Sequence, residues 1–276
     1  MFRFYFNCHR WRPKEDQFIS AIRCLTENEC RRFDQYQFQH DVKFSVIGQL
    51  LIRYLLSRAF QKKSSSFEID RTQSNRPWVD CKPAFDFNVS HHSHLVAIAG
   101  TFHGQVGCDT MTYSSDIHRH NYQRLARKIL SHDELNYFEQ RTVDEFDLSR
   151  CFYRFWCLKE SYVKWLGQGL TYPLSKLNFE IQTHSFDCCR FISDTKLRID
   201  SRLLAPLEIR FDEELIDLNN KDQQLITVCC SNRSVTSKFV ELTFEQILEY
   251  CSPIDENRTD FSIWWKSFIE KKDFGA

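Results

Sequence analysis

Two carboxylates and a lysine sit where the sequence pattern calls for buried surface. Residues 156–165 read WCLKESYVKW, a helical pattern. At about 100° per residue, Glu160 points between Trp156 and Val163, and Lys164 lies one turn further on. Lys159 points along the arc of Phe152, Val163 and Leu166. A solvated helix sets its charges opposite its apolar stripe. This one sets them on or beside it, and a buried charge needs a partner, a metal or a reaction. The second carboxylate, Asp109, closes the apolar run VGCDT just after Gly107. That reads as a strand end, a common place for a site. Two hard oxygen ligands with room for water suit Mg²⁺, which takes few protein ligands and completes its octahedron with water and phosphate. Met111 is too soft to join them.

Each of these residues also has an ordinary reading. Asp109 alone fits a turn or a helix cap. Glu160 with Lys164 fits a surface i,i+4 pair in the favourable order. Arg32, Arg71, Arg76 and His91 fall on or near predicted loops, where single charged residues are mostly solvated. Converging on a Mg²⁺ site, they would form an anion clamp. The stretch NVSH (88–91) adds a hydroxyl, an imidazole and backbone amides.

Composition narrows the classes. The 276 residues carry 37 basic and 37 acidic side chains, a net charge of zero. That argues against non-specific nucleic-acid binding and against a charged membrane surface. Only 7 glycines are present, with no GxGxxG and no GxxxxGK[ST]. A dinucleotide fold or P-loop is therefore not expected, and phosphate must be held by side chains or short turns. The 12 cysteines form no CxxC pair, so they read as small buried hydrophobes. The N-terminus lacks a secretory h-region, and no run of about 18 apolar residues occurs. A reducing, cytoplasmic setting fits.

The elements follow from periodicity. Strands are expected at 2–6, 67–73, 93–100, 106–110, 176–182, 207–211 and 224–230. Helices are expected within 13–38 and at 41–60, 120–140, 144–167 and 242–250, with Ser131 and Glu134 in capping-box order. SHLVAIAG and QQLITVCC are strands of equal length that each close one half of the chain. With one long apolar helix in each half, the reading is an α+β fold. It is a pseudo-twofold duplication with halves 1–104 and 105–252, a polar tail 253–276, and the active site between the halves.

VGCD (106–109), followed about fifty residues later by WCLKESYVK (156–164), resembles the 4'-phosphopantetheinyl transferases of the surfactin-synthetase-activating type, and their animal members in particular. RTQSNRP (71–77), FNVSHHSHLVAIAG (87–100) and RRFDQYQF…GQLLIRYLL lie upstream in the matching order. The resemblance implies coenzyme A as substrate, bound between the halves on Mg²⁺ held by Asp109 and Glu160. A serine of an acyl carrier protein would attack the β-phosphate and release 3',5'-ADP. It implies Glu160 as proton acceptor, Lys164 on the phosphates, and His91 on the pyrophosphate or 3'-phosphate. Arg32, Arg71 and Arg76, with the backbone of Thr72, Gln73, Ser74 and Asn75 and of Asn88, Val89 and Ser90, would grip the adenosine part. Glu134 is the expected partner of Lys159.

Two departures stand out. Met111 replaces an acidic residue common in bacterial relatives, and Asn75-Arg76-Pro77 replaces the usual Gly-Lys-Pro. The implied carriers are of fatty-acid-synthase and aminoadipate-reductase type, and the implied enzyme is a monomer. Two other readings use the same residues: a metal-dependent phosphohydrolase acting on coenzyme A or a nucleotide, and a non-catalytic protein that binds coenzyme A or a carrier.

Overall fold

The computed structural model describes all residues except 114–118, 141–144, 185–190, 201, 206–207, 220–221, 232–234, 256–257, 260 and 274–276. The chain opens with strand β1 (Phe2–Asn7), helices α1 (Glu15–Arg23) and α2 (Glu27–Arg31), and the long helix α3 (Gln39–Phe60). The stretch expected as a strand at 67–73 keeps only a two-residue strand, β2 (Asp70–Arg71), paired with β3 (Pro77–Trp78). Then β4 (Asp86–His92) and β5 (Leu95–Thr101) complete an antiparallel sheet with β1. α3 is apolar nearly all round, and Val46, Ile47, Leu50, Leu51 and Leu55 are fully buried. Such a helix must be covered on more than one side. The sheet covers one side and α1 lies on another.

The second half repeats the plan. It begins with β6 (Val106–Tyr113), followed by α4 (Arg119–Ile129), α5 (His132–Gln140) and α6 (Glu145–Leu166). The expected single helix over 120–140 is split, because Ser131 stops one helix and caps the next. The Glu134 amide donates to Ser131 Oγ (3.2 Å), and the Ser131 amide donates to Glu134 Oε2 (2.8 Å). Next come β7 (Leu177–Glu180), β8 (Phe191–Ile192), β9 (Lys196–Ile199) and β10 (Arg202–Ala205), then β11 (Ile209–Asn219) and β12 (Asp222–Ser231). The main sheet runs β6-β12-β11-β8, with α6 packed on β6 and β12. Both α3 and α6 have 22 residues. Each lies on an antiparallel sheet, which is the expected α+β duplication.

The chain then returns to the first half. β13 (Val240–Glu241) pairs with β1 in parallel, and α7 (Phe244–Glu249) packs on α3. α8 (Phe261–Glu270) sets Phe261, Trp264 and Phe268 into the first core. β13, α7 and α8 thus build on the half expected to end at 104, and the segment read as a polar tail supplies core. The three aromatics are spaced i, i+3, i+7, so one face of α8 is apolar.

Among the cysteines, Cys229 and Cys230 are buried within β12, as expected of small hydrophobes. Cys188 and Cys189 lie outside the described residues. No helix among the described residues is long and apolar enough to cross a membrane.

Candidate active site

The halves meet where β4 runs alongside β6, joined by side chains. Val106 N donates to Asp86 Oδ2 (2.7 Å), Cys108 N to Asn88 Oδ1 (2.8 Å) and Thr112 N to His92 Nδ1 (3.1 Å). The partners rise together by the same interval, so the strands run in one direction. Asp86, Asn88 and His92 share one face by the period of two. Ser90, on the same face, donates its hydroxyl to Asp109 Oδ1 (3.0 Å).

Asp109 therefore sits within β6, not at a strand end. Thr110 and Thr112, though polar, are both buried. Thr110 Oγ1 donates to the Leu225 carbonyl (2.9 Å) and Thr112 Oγ1 to Gln224 Oε1 (2.8 Å). Pairing with β12 continues through Tyr113.

α6 brings Glu160 and Lys164 to this seam, and Gly107 lets it come close. A Cβ at Gly107 would stand 2.0 Å from the Ser161 carbonyl oxygen and 2.4 Å from Trp165 N. Lys164 Nζ donates to Asp109 Oδ1 (2.6 Å) and to Ser90 Oγ (2.8 Å). Burial alone would lower the Lys164 pKa, but the Asp109 carboxylate overcomes it and holds the ammonium above its ordinary value. Burial raises the Glu160 pKa, and the charge of Asp109 raises it further against the pull of Lys164. Asp109 Oδ2 and Glu160 Oε1 are both buried without a hydrogen-bond partner among the described residues. Two orphaned oxygens on carboxylates that repel each other are costly unless something positive joins them. This donor set, hard and oxygen-only, fits Mg²⁺.

Above the carboxylates opens a cavity of about 440 Å³. Of the expected residues, Glu160, Lys164, Asn88, Val89 and His91 line it on the seam side. His91 stacks on Phe44 (5.0 Å between centroids, 18° between planes). Burial, then the charge of Lys164, lowers the His91 pKa. Asp109 and Ser90 lie beneath, bonded to Lys164.

Arg32, Arg71, Ser74 and Asn75 line the far side. Arg71 is held by the Asn75 carbonyl (2.9 Å) and by Gln49. The Gln49 amide is oriented so that its oxygen accepts from Arg71 Nη2 (2.6 Å) and its nitrogen donates to Glu29 Oε1 (3.0 Å). Burial, then the charge of Arg32, lowers the Arg71 pKa. Two guanidinium groups so placed make an anion-seeking pair.

Three expectations change. Thr72 and Gln73 are exposed and do not line the cavity; Thr72 instead holds the turn, accepting from Arg76 N (3.2 Å). Asn75 takes the left-handed conformation at φ 62°, which explains both the glycine usual there and why asparagine can replace it. Arg76 borders the cavity, but its guanidinium turns into the seam. It donates to Asp86 Oδ2 (2.7 Å), the Val106 carbonyl (2.9 Å), the Phe87 carbonyl (3.2 Å) and the Lys164 carbonyl. Both terminal nitrogens are engaged by the protein, so it staples β4, β6 and α6 together.

Sequence reasoning missed the α3 wall: Ser45, Gly48 and Gln49. The signal was present. Small and polar residues at helical spacing interrupt an otherwise apolar helix, as a ligand-facing stripe does.

Lys159 lies outside the cavity. Its ammonium donates to Glu134 Oε2 (2.7 Å) and to the Leu174 (2.9 Å) and Leu177 (2.6 Å) carbonyls, so all three N–H groups are used. Glu134 Oε1 accepts from Phe179 N (2.8 Å). The expected pair exists, and Glu134 both caps α5 and neutralises Lys159.

Comparison with known proteins gives two adjoining matches. Residues 9–103 match the family model described as 4'-phosphopantetheinyl transferase, N-terminal, and residues 105–229 match the 4'-phosphopantetheinyl transferase superfamily. An L-aminoadipate-semialdehyde dehydrogenase-phosphopantetheinyl transferase of Xenopus laevis is 27% identical over 98% of this chain and 92% of its own. The Homo sapiens protein of that name is 28% identical over 78% of this chain and 71% of its own. The 4'-phosphopantetheinyl transferase Sfp of Bacillus subtilis is 28% identical over 62% of this chain and 70% of its own.

Proposed function

Because this chain belongs to the 4'-phosphopantetheinyl transferase superfamily, we propose that it moves the 4'-phosphopantetheine arm of coenzyme A to a serine of acyl carrier protein domains, with Mg²⁺, and releases 3',5'-ADP. The observation that carries this reading is the pair of orphaned oxygens on Asp109 and Glu160, braced by Lys164 at the foot of a cation-lined cavity.

Phosphoryl transfer is mostly positioning and charge neutralisation. Arg32 and Arg71 offer the charge for the nucleotide phosphate, and the α3 stripe gives its base and sugar a wall. Mg²⁺ on Asp109 and Glu160 would supply neutralisation of the pyrophosphate charge. The serine oxygen forms a new bond to the β-phosphorus, and the bond from that phosphorus to the oxygen bridging to 3',5'-ADP breaks. The electron pair leaves with 3',5'-ADP, whose new negative charge Lys164 offsets. The serine proton passes to Glu160. The relatives' names favour a carrier of the aminoadipate-semialdehyde dehydrogenase kind. Fatty-acid-synthase carriers, and action as a cytoplasmic monomer, belong to the same reading.

The test is incubation with coenzyme A, Mg²⁺ and an apo carrier protein, read by mass spectrometry. The expected result is a carrier that gains the phosphopantetheine mass, with the gain abolished by chelator. Release of 3',5'-ADP without carrier modification would replace the reading with hydrolysis. Binding of coenzyme A without turnover would replace it with a binding protein.

A further inference from the structure

A second cavity, of about 610 Å³, lies against the first turn of α3. Phe44 lines both cavities and is the wall between them. One face of its ring stacks on His91, and His40 meets it edge-on (5.8 Å, 78°). The other sides carry Lys43, Arg12, His9 and His94, and Asp273 is the one carboxylate among the described lining residues. The His9 and His94 rings pack edge to face at 4.7 Å. Asp41, nearby on α3, is engaged with His40 at 3.2 Å.

Three features of this cavity favour an anion. The Lys43 ammonium is partly buried, and it makes no hydrogen bond or ion pair among the described residues. Burial lowers its pKa, and the neighbouring Arg12 charge lowers it further, against Cys8 and Asp273. An unpaired, half-desolvated cation beside a second cation is unfavourable until an anion arrives. Finally, α3 begins here without a side-chain cap; Gln39 N donates to the Lys272 carbonyl (3.0 Å) and Asp41 lies in the first turn, so the end of this 22-residue helix adds only a reduced positive field.

We propose that this cavity binds the phosphate group of a small molecule, held by Lys43 and Arg12 with the imidazoles of His9 and His94. None of these four belongs to the Asp109–Glu160–Lys164 centre or to the Arg32–Arg71 pair.

The test titrates inorganic phosphate against the full chain saturated with coenzyme A, so that the first cavity is filled. Calorimetry is the readout. Saturable phosphate binding is expected, weakened at least tenfold in Lys43→Met and in Arg12→Gln, with coenzyme A affinity within twofold of wild type in both. Equal phosphate binding in all three proteins overturns the proposal, as does absence of saturable binding at tens of millimolar. Parallel loss of coenzyme A affinity also overturns it, because Lys43 would then serve the first cavity. If Lys43→Met does not fold, Arg12→Gln, changed on an exposed side chain, decides alone. If coenzyme A does not bind at all, the reading of the first cavity falls. The same variants, titrated without it, still decide the second.

Discussion

Gly107 and Ser161 lie so close that a methyl group on the glycine would stand 2.0 Å from the serine's carbonyl oxygen. Both atoms that a Cβ would strike belong to the backbone of α6, so no side chain can turn away. Gly107→Ala must push α6 off β6, and α6 carries Glu160 and Lys164. Overpacking of this kind costs about 1–3 kcal/mol. A displacement of about 1 Å at the reacting groups can cost about 100-fold in rate. We expect a folded but less stable protein whose carrier modification falls on the order of 100-fold. Denaturant melts and a rate assay measure the two effects. Wild-type rates in Gly107→Ala would show that the approach of α6 does not set the site.

Lys159 and Glu134 form a fully buried pair. Burial lowers the lysine pKa and raises the glutamate pKa, and each partner opposes the other's shift. Removing one charge strands the other, which costs about 3–5 kcal/mol, whereas removing both is far cheaper. Lys159→Met should therefore destabilise strongly, and Lys159→Met with Glu134→Gln should recover part of the loss. Urea unfolding of the single and double variants measures the coupling. Full stability in Lys159→Met alone would dispose of the pair.

The pair was legible because 100° per residue already put Lys159 on a buried arc. The same rule placed Glu160 and Lys164. What sequence could not give was direction at long range. Arg76 carries the charge expected of a phosphate holder, but its acceptors include the carbonyl of Lys164, 88 residues away. Asp109 reads as a strand end because it closes the apolar run, yet the threonine hydroxyls beyond it are satisfied inside the sheet. The α8 aromatics had helical spacing, but nothing local says that the chain returns to its first half.

Arg76 is a positioning residue, and this separates it from Arg71 in kinetics. Lysine cannot reproduce a guanidinium that reaches three carbonyls and a carboxylate. Arg76→Lys should lose about 1–3 kcal/mol of stability and lower kcat, with the KM for coenzyme A nearly unchanged. Arg71→Ala should do the reverse, raising that KM on the order of tenfold with little change in kcat, as loss of uniform binding does. Steady-state kinetics with coenzyme A varied will separate them. An Arg76→Lys effect confined to KM would return Arg76 to the ligand.

Glu160 should leave a signed pH signature. Its folded-state pKa stands above the ordinary glutamate value of about 4.3. The native state thus favours the protonated form, and the stability this gives is complete below the unfolded pKa. It is lost as pH rises through the folded pKa. As pH rises through the folded pKa the metal-free wild type takes on the cost of a charge beside Asp109, and glutamine does not. Glu160→Gln should then melt at a higher temperature than wild type at pH 7.5 in chelator. The gap should close as pH falls below about 4. Added Mg²⁺ should stabilise wild type and leave Glu160→Gln much less affected. Transfer should fall by about 100-fold or more, the usual contribution of a general base. Calorimetric melts across pH, with and without Mg²⁺, check the three stability outcomes, and the carrier-modification assay checks the rate. A gap that does not change with pH would remove the buried-charge account of this site.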